Sequence, residues 1–329
     1  MKTADALLDA LNELRDEAEI VVTIAAAEAA GIFRGLATGD ATPAELAGRV
    51  GLDARAVGIV LPVLEEAGLL TERESRYALT DAARRRLADP DSADYIGGGL
   101  GHWLNLLGAW TRLPDVLRTG APDAPPATDD SRAAIARFMA AMAAPPAERV
   151  RRVVRLCLER IPDARTALDL GGGPGLYARE LVRNGVETTL YDRAEVIDHV
   201  SHAYGLRDIQ SLHLAAGDFF HDPLPDGPFD LALISNITHA YPPAANRALL
   251  EKVCRVMRPG GVVAIADFVR GRSPRAARFA IVMLLRTEGG DTYSEEDYRE
   301  WLADAGFGDV RVEDLDPLRE RQLLTAVRP

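Results

Sequence analysis

The segment Asp169-Leu-Gly171-Gly172-Gly173-Pro-Gly175 joins an apolar run, Ala167-Leu168-Asp169-Leu170, to a helical pattern from Tyr177 to Arg183. A strand that enters a glycine loop and leaves it as a helix belongs to a parallel α/β sheet, and that leaves few folds open. Glycines there permit a tight turn and let a ligand approach the backbone closely. The dinucleotide fingerprint G-x-G-x-x-G needs a third glycine where Leu176 stands. The spacing is instead D-x-G-x-G-x-G, with the acid ahead of the loop. Asp192, 19 residues beyond Gly173, closes the next strand, where a carboxylate can accept two ribose hydroxyls. Gly217-Asp218-Phe219 follows at the end of a third strand, where the acid can pair and the ring can stack with a purine. Ligands of such sheets sit at the carboxyl ends of the strands, so acids at three successive ends point to a nucleoside-bearing ligand.

The α/β pattern continues to the C-terminus. Phe229 to Ile234 is an apolar strand, Ala244 to Met257 a helix closed by Arg258-Pro259-Gly260-Gly261, and Val262 to Ala266 a strand ending at Asp267. Ser294-Glu295-Glu296-Asp297 is a capping-box start for a helix to Ala305. Val310–Leu315 and Leu323–Val327, joined by a short turn region, form an antiparallel pair.

The N-terminal region is organised differently. Leu7, Leu11, Leu14, Ala18, Val21 and Ala25 fall on one stripe of a long amphipathic helix, which fits either ordinary core or half of a dimer seam. Thr42-Pro43 opens a helix that stops at Gly51, and Asp53 opens a second that carries Val57, Val60, Leu61 and Leu64 and ends at Gly68. Pro62 is expected to kink or shorten that second helix. Leu69–Thr71 and Tyr77–Thr80 then make a small hairpin, and the order helix, helix, hairpin reads as a winged helix. Residues 1–90 form this domain, 91–160 a helical linker and substrate-pocket segment, and 161–329 the nucleoside-binding domain. The middle segment carries His102, Trp103 and Trp110, then Phe138, Met139 and Met142 beyond a Pro-rich loop at 121–127. Stripes of this kind are core as readily as pocket wall.

Charge narrows the partners. The chain of 329 residues has 50 Asp and Glu against 38 Lys and Arg, a net charge of −12. Residues 1–90 alone hold 16 acids against 10 bases, and the second helix of the wing offers Asp53, Arg55, Glu65 and Glu66. Neither the chain nor the wing has the basic footprint that nucleic acid or an anionic membrane requires. A metabolite-sensing DNA regulator is thereby set aside. Cys157 and Cys254 are too few for a disulfide framework or a cysteine-built metal centre, and no His-x-x-x-His pair occurs. No basic leader or apolar stretch of about 20 residues is present, so a soluble, cytoplasmic protein without a metal is expected.

These motifs, taken in order, resemble the S-adenosylmethionine-dependent O-methyltransferases that carry an N-terminal winged-helix dimerisation domain. That group includes caffeate and acetylserotonin methyltransferases and bacterial natural-product methyltransferases. The resemblance spans the whole chain. It is carried by Leu79-Thr80, the loop at 169–175, Tyr-Asp-Arg-Ala-Glu-Val-Ile at 191–197 and Gly-Asp-Phe-Phe at 217–220. Ser-Asn-Ile-Thr-His at 235–239, Met-Arg-Pro-Gly-Gly at 257–261 and Gly-Gly-Asp-Thr-Tyr-Ser at 289–294 complete it. It implies a class I methyltransferase fold, a Rossmann-like, mostly parallel seven-stranded sheet with an antiparallel last strand, and a homodimer formed through the N-terminal domain. It implies that Asp169, Gly171 and Gly173 lie at the cofactor, Asp192 on the ribose, Asp218 and Phe219 at the adenine, and Ser235 nearby. S-adenosylhomocysteine would be the product.

His239 stands where this family keeps its general base, after a strand at the ligand-facing end of the sheet. A neutral imidazole can take the proton of a phenol, whose own pKa is near 10, as oxygen attacks the sulfonium methyl. His199, His202, His213 and His221 read as surface residues, and His102 as either pocket or core. Two departures concern His239. Relatives follow it with an Asp and an aromatic, whereas here Ala240-Tyr241-Pro242-Pro243 follows; and where plant relatives place a supporting Glu, this chain has Thr292. Asp267, at the neighbouring strand end, is the candidate to orient His239. The expected activity is methylation of a hydroxyl, phenolic in character, on a small aromatic or polyketide-like product. His102, Trp103, Trp110, Phe138, Met139, Met142 and Met283 are the candidate pocket walls. The alternative keeps the cofactor but performs hydroxylation or decarboxylation without methyl transfer.

Overall fold

Caps written in the sequence start and stop the N-terminal helices. In the computed structural model, which describes residues 4–89, 92, 95–122 and 131–329, the chain divides into two units, residues 1–108 and 109–329. Residues 123–127 of the Pro-rich loop lie outside the described residues. The first unit contains α1 (Ala4–Ala29), α2 (Ile32–Ala37), α3 (Pro43–Val50), α4 (Ala54–Glu66), the strands β1 (Leu70–Arg73) and β2 (Arg76–Leu79), and α5 (Asp81–Leu87). α6 (Gly97–Trp110) runs to the boundary between the units. Thr42 Oγ1 accepts from Glu45 N while the Glu45 carboxylate accepts from Thr42 N, a reciprocal box that starts α3. Asp53 accepts from Ala56 N and starts α4. β1 and β2 pair antiparallel from Leu70–Leu79 to Arg73–Arg76, and the two turn residues, Glu74 and Ser75, both have positive φ, as a two-residue hairpin of this twist requires.

Two details differ from expectation or settle an open one. α4 continues through Pro62 to Glu66, one turn beyond the missing N–H. Leu61 and Leu64, on either side of Pro62, are buried with Phe33, Leu36 and Leu46, and this packing outweighs the lost bond. On α1, Leu7, Leu11 and Leu14 are each more than half exposed, whereas Ala25 is fully buried. Within this chain, then, the apolar stripe is core only at its C-terminal end.

The second unit adds α7 (Leu113–Thr119), α8 (Ser131–Met142) and α9 (Ala147–Arg160), then β3 (Thr166–Leu170), α10 (Leu176–Arg183), β4 (Glu187–Asp192), α11 (Ala194–Ala203) and β5 (Leu212–Ala216). β6 (Phe229–Ser235), α12 (Pro243–Val256) and β7 (Met257–Asp267) follow. Next come β8 (Val269–Arg270), α13 (Ala276–Arg286), β9 (Tyr293–Ser294), α14 (Glu295–Asp304), β10 (Gly308–Asp314) and β11 (Gln322–Val327). The seven-stranded sheet has the order β10-β11-β7-β6-β3-β4-β5, with β11 alone reversed against its neighbours. This is the mostly parallel, Rossmann-like sheet with an antiparallel last strand that the resemblance implies. The central strands are apolar on both faces: Leu168, Leu170, Leu231, Leu233 and Ile234 are fully buried, at about 1.5–3 kcal/mol each.

The order of strands reverses between β3 and β6. Loops after these two strands leave in opposite directions, and the crevice between them is where an open α/β sheet takes its ligand. The glycine loop follows β3 and Ser235 closes β6, so this crevice lies among the residues the sequence singles out. The sequence assigns no element to 268–293, where the structure has α13 and the parallel pair β8–β9.

Candidate active site

The glycine loop is built for close approach. Gly171 has φ 67 and Gly173 φ 48, a region that L side chains avoid, and a Cβ on Gly171 would lie 2.4 Å from Ile237 Cδ1. Asp192, at the end of β4, fixes the loop: its Oδ2 accepts from Gly173 N at 2.9 Å and its Oδ1 from Arg193 N at 2.8 Å. Burial pushes its pKa up, and the two N–H groups oppose that shift. Asp169 lies behind the loop, 1% exposed. Its Oδ2 accepts from Ala178 N at 3.1 Å in the first turn of α10. Burial pushes its carboxyl up to about 7.

Phe219 is buried next to the loop, its ring 4.8 Å from Phe220 and 6.0 Å edge-on to Tyr241. Asp218 is much more open and accepts from His221 Nδ1 at 2.9 Å and Phe220 N at 2.8 Å. His221 and that backbone bond hold its carboxyl below the usual range. Ser235 accepts from Asn236 Nδ2 at 3.3 Å.

His239 occupies a single turn of 3₁₀ helix after β6. Its Nδ1 lies 2.7 Å from Asp267 Oδ1, at the end of the adjacent β7. Asp267 is 1% exposed and accepts three more bonds, from Thr238 Oγ1 at 2.6 Å, Phe268 N at 2.8 Å and His239 N at 3.3 Å. Burial opposes its ionisation, but the charge and hydrogen bond of His239, with those of Thr238 and Phe268, outweigh it and hold the carboxyl below its ordinary value. An ionised carboxylate on Nδ1 keeps the ring proton there and leaves Nε2 as the basic nitrogen. Phe279 meets the imidazole edge-on at 4.8 Å. Asn246 Nδ2 donates to Thr238 O and Tyr241 O and ties the turn to α12. Thr292, where plant relatives have their Glu, is fully buried and donates to Ala276 O.

A crevice with this loop, strand-end acid and imidazole has the parts of a nucleoside-dependent transferase, and comparison with known proteins decides which. The family model described as an O-methyltransferase domain matches residues 120–308. The 3-hydroxy-5-methyl-1-naphthoate 3-O-methyltransferase of Streptomyces sahachiroi is 30% identical over 314 residues, 88% of this chain and 86% of that protein. The chain belongs to the O-methyltransferase family. It is an S-adenosylmethionine-dependent O-methyltransferase. The tetracenomycin polyketide synthesis 8-O-methyltransferase of Streptomyces glaucescens is 31% identical over 287 residues, 82% of each chain. Human N-acetylserotonin methyltransferase, solved with S-adenosylmethionine, has the same fold: TM-score 0.86 at 22% identity, covering 100% of this chain and 99% of that one.

The residues of this O-methyltransferase fit its cofactor. Each Asp192 oxygen accepts one N–H and keeps a further lone pair. The missing side chains at Gly171 and Gly173 clear the loop's surface. Among the described residues, no three or more His, Cys, Asp or Glu are grouped to hold a metal.

The candidate wall residues scatter. Met139 is buried with Ala178, Leu190 and Val196, its sulfur 3.5 Å from where a Gly173 Cβ would stand, so it flanks the glycine loop. Met283 is buried on α13, Met142 is partly buried on α8, and Phe138 is 47% exposed. Trp110 packs against Ala109, Val116 and Leu285. His102 and Trp103, partly buried on α6, belong to the first unit. Sequence reasoning missed Thr238, Tyr298, Phe279 and Arg321. Of these, Thr238 lies in the motif ending at His239 and Tyr298 in the helix expected from Ser294 to Ala305, whereas Phe279 and Arg321 lie in no segment singled out beforehand.

Proposed function

We propose that this enzyme methylates a phenolic hydroxyl on a small aromatic or polyketide-like natural product, with His239 as general base and Asp267 as its positioning residue. The observation that carries this reading is the 2.7 Å pair between His239 Nδ1 and Asp267 Oδ1 at adjacent strand ends beside the crevice. The names of the Streptomyces relatives, acting on a naphthoate and in tetracenomycin synthesis, support the substrate class.

When bound, S-adenosylmethionine supplies an electrophilic methyl on a sulfonium. The chain's own residues hold and align. Gly171 and Gly173 present backbone, Asp192 takes the ribose hydroxyls, and Phe219 and Asp218 receive the adenine. Asp169 braces the loop from behind, and Ser235 closes the crevice at β6. His239 Nε2 accepts the phenol proton, and Asp267 stabilises the imidazolium so formed. Aligning two reactants and excluding water is the larger part of what such a transfer asks of a protein. Tyr241, which departs from the family pattern, packs 4.2 Å from Phe220 and its carbonyl accepts from Asn246, so the altered segment still anchors the His239 turn. Met139, Met142, Met283, Phe138 and Trp110 remain the proposed lining of the acceptor pocket.

We also read the protein as a homodimer joined through residues 1–90, with 91–160 as linker and pocket segment and 161–329 as catalytic domain. The exposed leucines of α1 support the dimer. The cytoplasmic assignment is supported by Cys157 and Cys254, both unpaired.

Calorimetric titration with S-adenosylhomocysteine, run beside Asp192→Ala, tests the cofactor site. Binding weakened about tenfold or more in the variant is expected; equal binding sinks the assignment. A product heavier by one methyl group supports methyl transfer. A product altered without it establishes the non-methylating alternative.

A further inference from the structure

Arg321 stands immediately before β11, next to Gln322, whose register partner is Asp267. Because β11 runs against its neighbours, its first residues lie at the same sheet edge as the ends of β6 and β7. The guanidinium crosses the Phe268 ring, 4.0 Å from its centroid, and donates through Nη1 to Asn236 Oδ1. Asn236 follows β6 directly, is held at φ 58, and its amide also donates to Ser235 Oγ. A left-handed non-glycine residue is strained, and such strain persists where the surroundings over-determine it. Here it aims one side chain at both Arg321 and Ser235.

Several partly buried guanidiniums of this unit have carboxylate partners, Arg258 with Asp230, Arg272 with Glu295, Arg247 with Glu300 and Asp304, while Arg152 and Arg328 donate to the backbone carbonyls of Asp314 and Met257. Among the described residues Arg321 has no carboxylate within ion-pairing distance, nor does Arg149 near the start of α9, also partly buried. Asp267 is the acid whose field acts on Arg321, but its oxygens are taken by His239, Thr238 and Phe268 N. Burial lowers the Arg321 pKa, and the charges of Arg149 and Arg275 add to this; Arg275 itself pairs with Glu320 at 3.5 Å. Tyr177, at the start of α10, is raised by burial and drawn back by Ser235 and by both Arg321 and Arg149. The charges that act on Tyr177, beside Ser235, thus include two guanidiniums, Arg321 and Arg149, that have no carboxylate in ion-pairing contact among the described residues.

We propose that Arg321, aimed by Asn236 and backed by Arg149, binds a carboxylate beside the methyl-transfer site. The planar fork of a guanidinium matches a carboxylate, and desolvation within the crevice strengthens the pair. Two reactants can bring that group: the amino-acid end of the cofactor, or an acid substituent on the aromatic acceptor. The inference rests on the methyltransferase reading above, and its test separates the two sources.

Calorimetry on wild type, Arg321→Gln and Arg321→Lys uses four probes. S-adenosylhomocysteine is compared with 5′-methylthioadenosine, which lacks the amino-acid end. With S-adenosylhomocysteine saturating, 3-hydroxy-2-naphthoate is compared with 3-hydroxy-2-naphthamide. If the cofactor is the source, Arg321→Gln weakens S-adenosylhomocysteine about tenfold or more and leaves methylthioadenosine unchanged. If the acceptor is the source, the wild type prefers the naphthoate, Arg321→Gln abolishes the preference, and cofactor binding is unaltered. Arg321→Lys keeps the charge, retains part of either effect, and serves if the Gln variant does not fold. Equal loss of S-adenosylhomocysteine and methylthioadenosine marks Arg321 as merely structural and overturns the proposal. So does unchanged cofactor binding with no naphthoate preference in the wild type. A wild type that binds neither nucleoside defeats the cofactor reading itself, a failure distinct from these two.

Discussion

Asp267 Oδ1 stands 2.7 Å from His239 Nδ1 while Oδ2 takes the Thr238 hydroxyl at 2.6 Å, so one buried carboxylate sets both the ring and the turn that carries it. Tyr298, from α14, lies 2.7 Å from the same hydroxyl and closes the chain of bonds behind the site. Every group in this chain bonds the ionised form of Asp267 or orients a group that does. The imidazole is therefore fixed before any acceptor arrives.

Asp267→Asn is expected to approach His239→Ala in its effect. An amide offers no charge to an imidazolium, and it can turn its NH₂ toward Nδ1 and select the wrong tautomer. General base catalysis contributes about 10²–10⁴-fold, and a loss of that order in kcat is expected from both variants. Affinity for S-adenosylhomocysteine should not change. Turnover within about twofold of wild type in Asp267→Asn removes the positioning role.

Gly171→Ala meets two obstacles, the left-handed φ of 67 and Ile237 Cδ1 at 2.4 Å from the new Cβ. The backbone cost alone is about 1–2 kcal/mol. Ile237→Ala in the same chain clears the contact and leaves the φ penalty. Adding Gly171→Ala to Ile237→Ala should then cost part, not all, of the unfolding free energy that Gly171→Ala costs in the wild type, as read from urea midpoints. No cost at all in the Ile237→Ala background would show that the backbone angle costs nothing there.

The glycine loop, the caps at Thr42, Asp53 and Ser294, and the strand ends at Asp192 and Asp267 were legible because each is local. A few consecutive residues state a turn, a cap or a period. The reversed last strand was legible as a tight antiparallel return. α13 was not: its N-cap, Arg275, makes no side-chain capping bond, and Phe279 to Leu285 is apolar throughout, so neither a start signal nor a period is present. Thr238, Tyr298 and Arg321 were missed for a different reason. Their roles arise from partners 29 to 85 residues away in sequence, which only the folded sheet brings together. That α4 runs on past Pro62 to Glu66 rests on packing on both sides of the proline, which is invisible to a propensity argument.

The exposed leucines of α1 lead to a prediction about assembly. Leu7, Leu11 and Leu14 repeat at helical spacing and are 55–62% exposed in the single chain. A second copy packed on them would cover that surface. Light scattering at micromolar concentration should give about twice the 35.5 kDa chain mass, and Leu11→Glu with Leu14→Glu should return it to one chain. A wild-type particle of one chain mass refutes the dimer.

Asp169 makes stability depend on pH in an unusual direction for a carboxylate. Its folded pKa is pushed up to about 7 by burial, against about 3.9 in an unfolded chain. Between those values the unfolded chain releases the proton while the folded protein keeps it, so the unfolded state binds fewer protons and stability falls as pH rises. The contribution is complete below about pH 4 and gone once pH passes about 7; a displacement of this size corresponds to at most about 4 kcal/mol. Asn at this position keeps an oxygen for Ala178 N and removes the titration. Urea unfolding at about pH 5 and about pH 8 should therefore show wild type losing more stability than Asp169→Asn over that interval. Parallel changes in the two proteins would mean that Asp169 is ionised throughout, and that the bond from Ala178 N outweighs burial behind the loop.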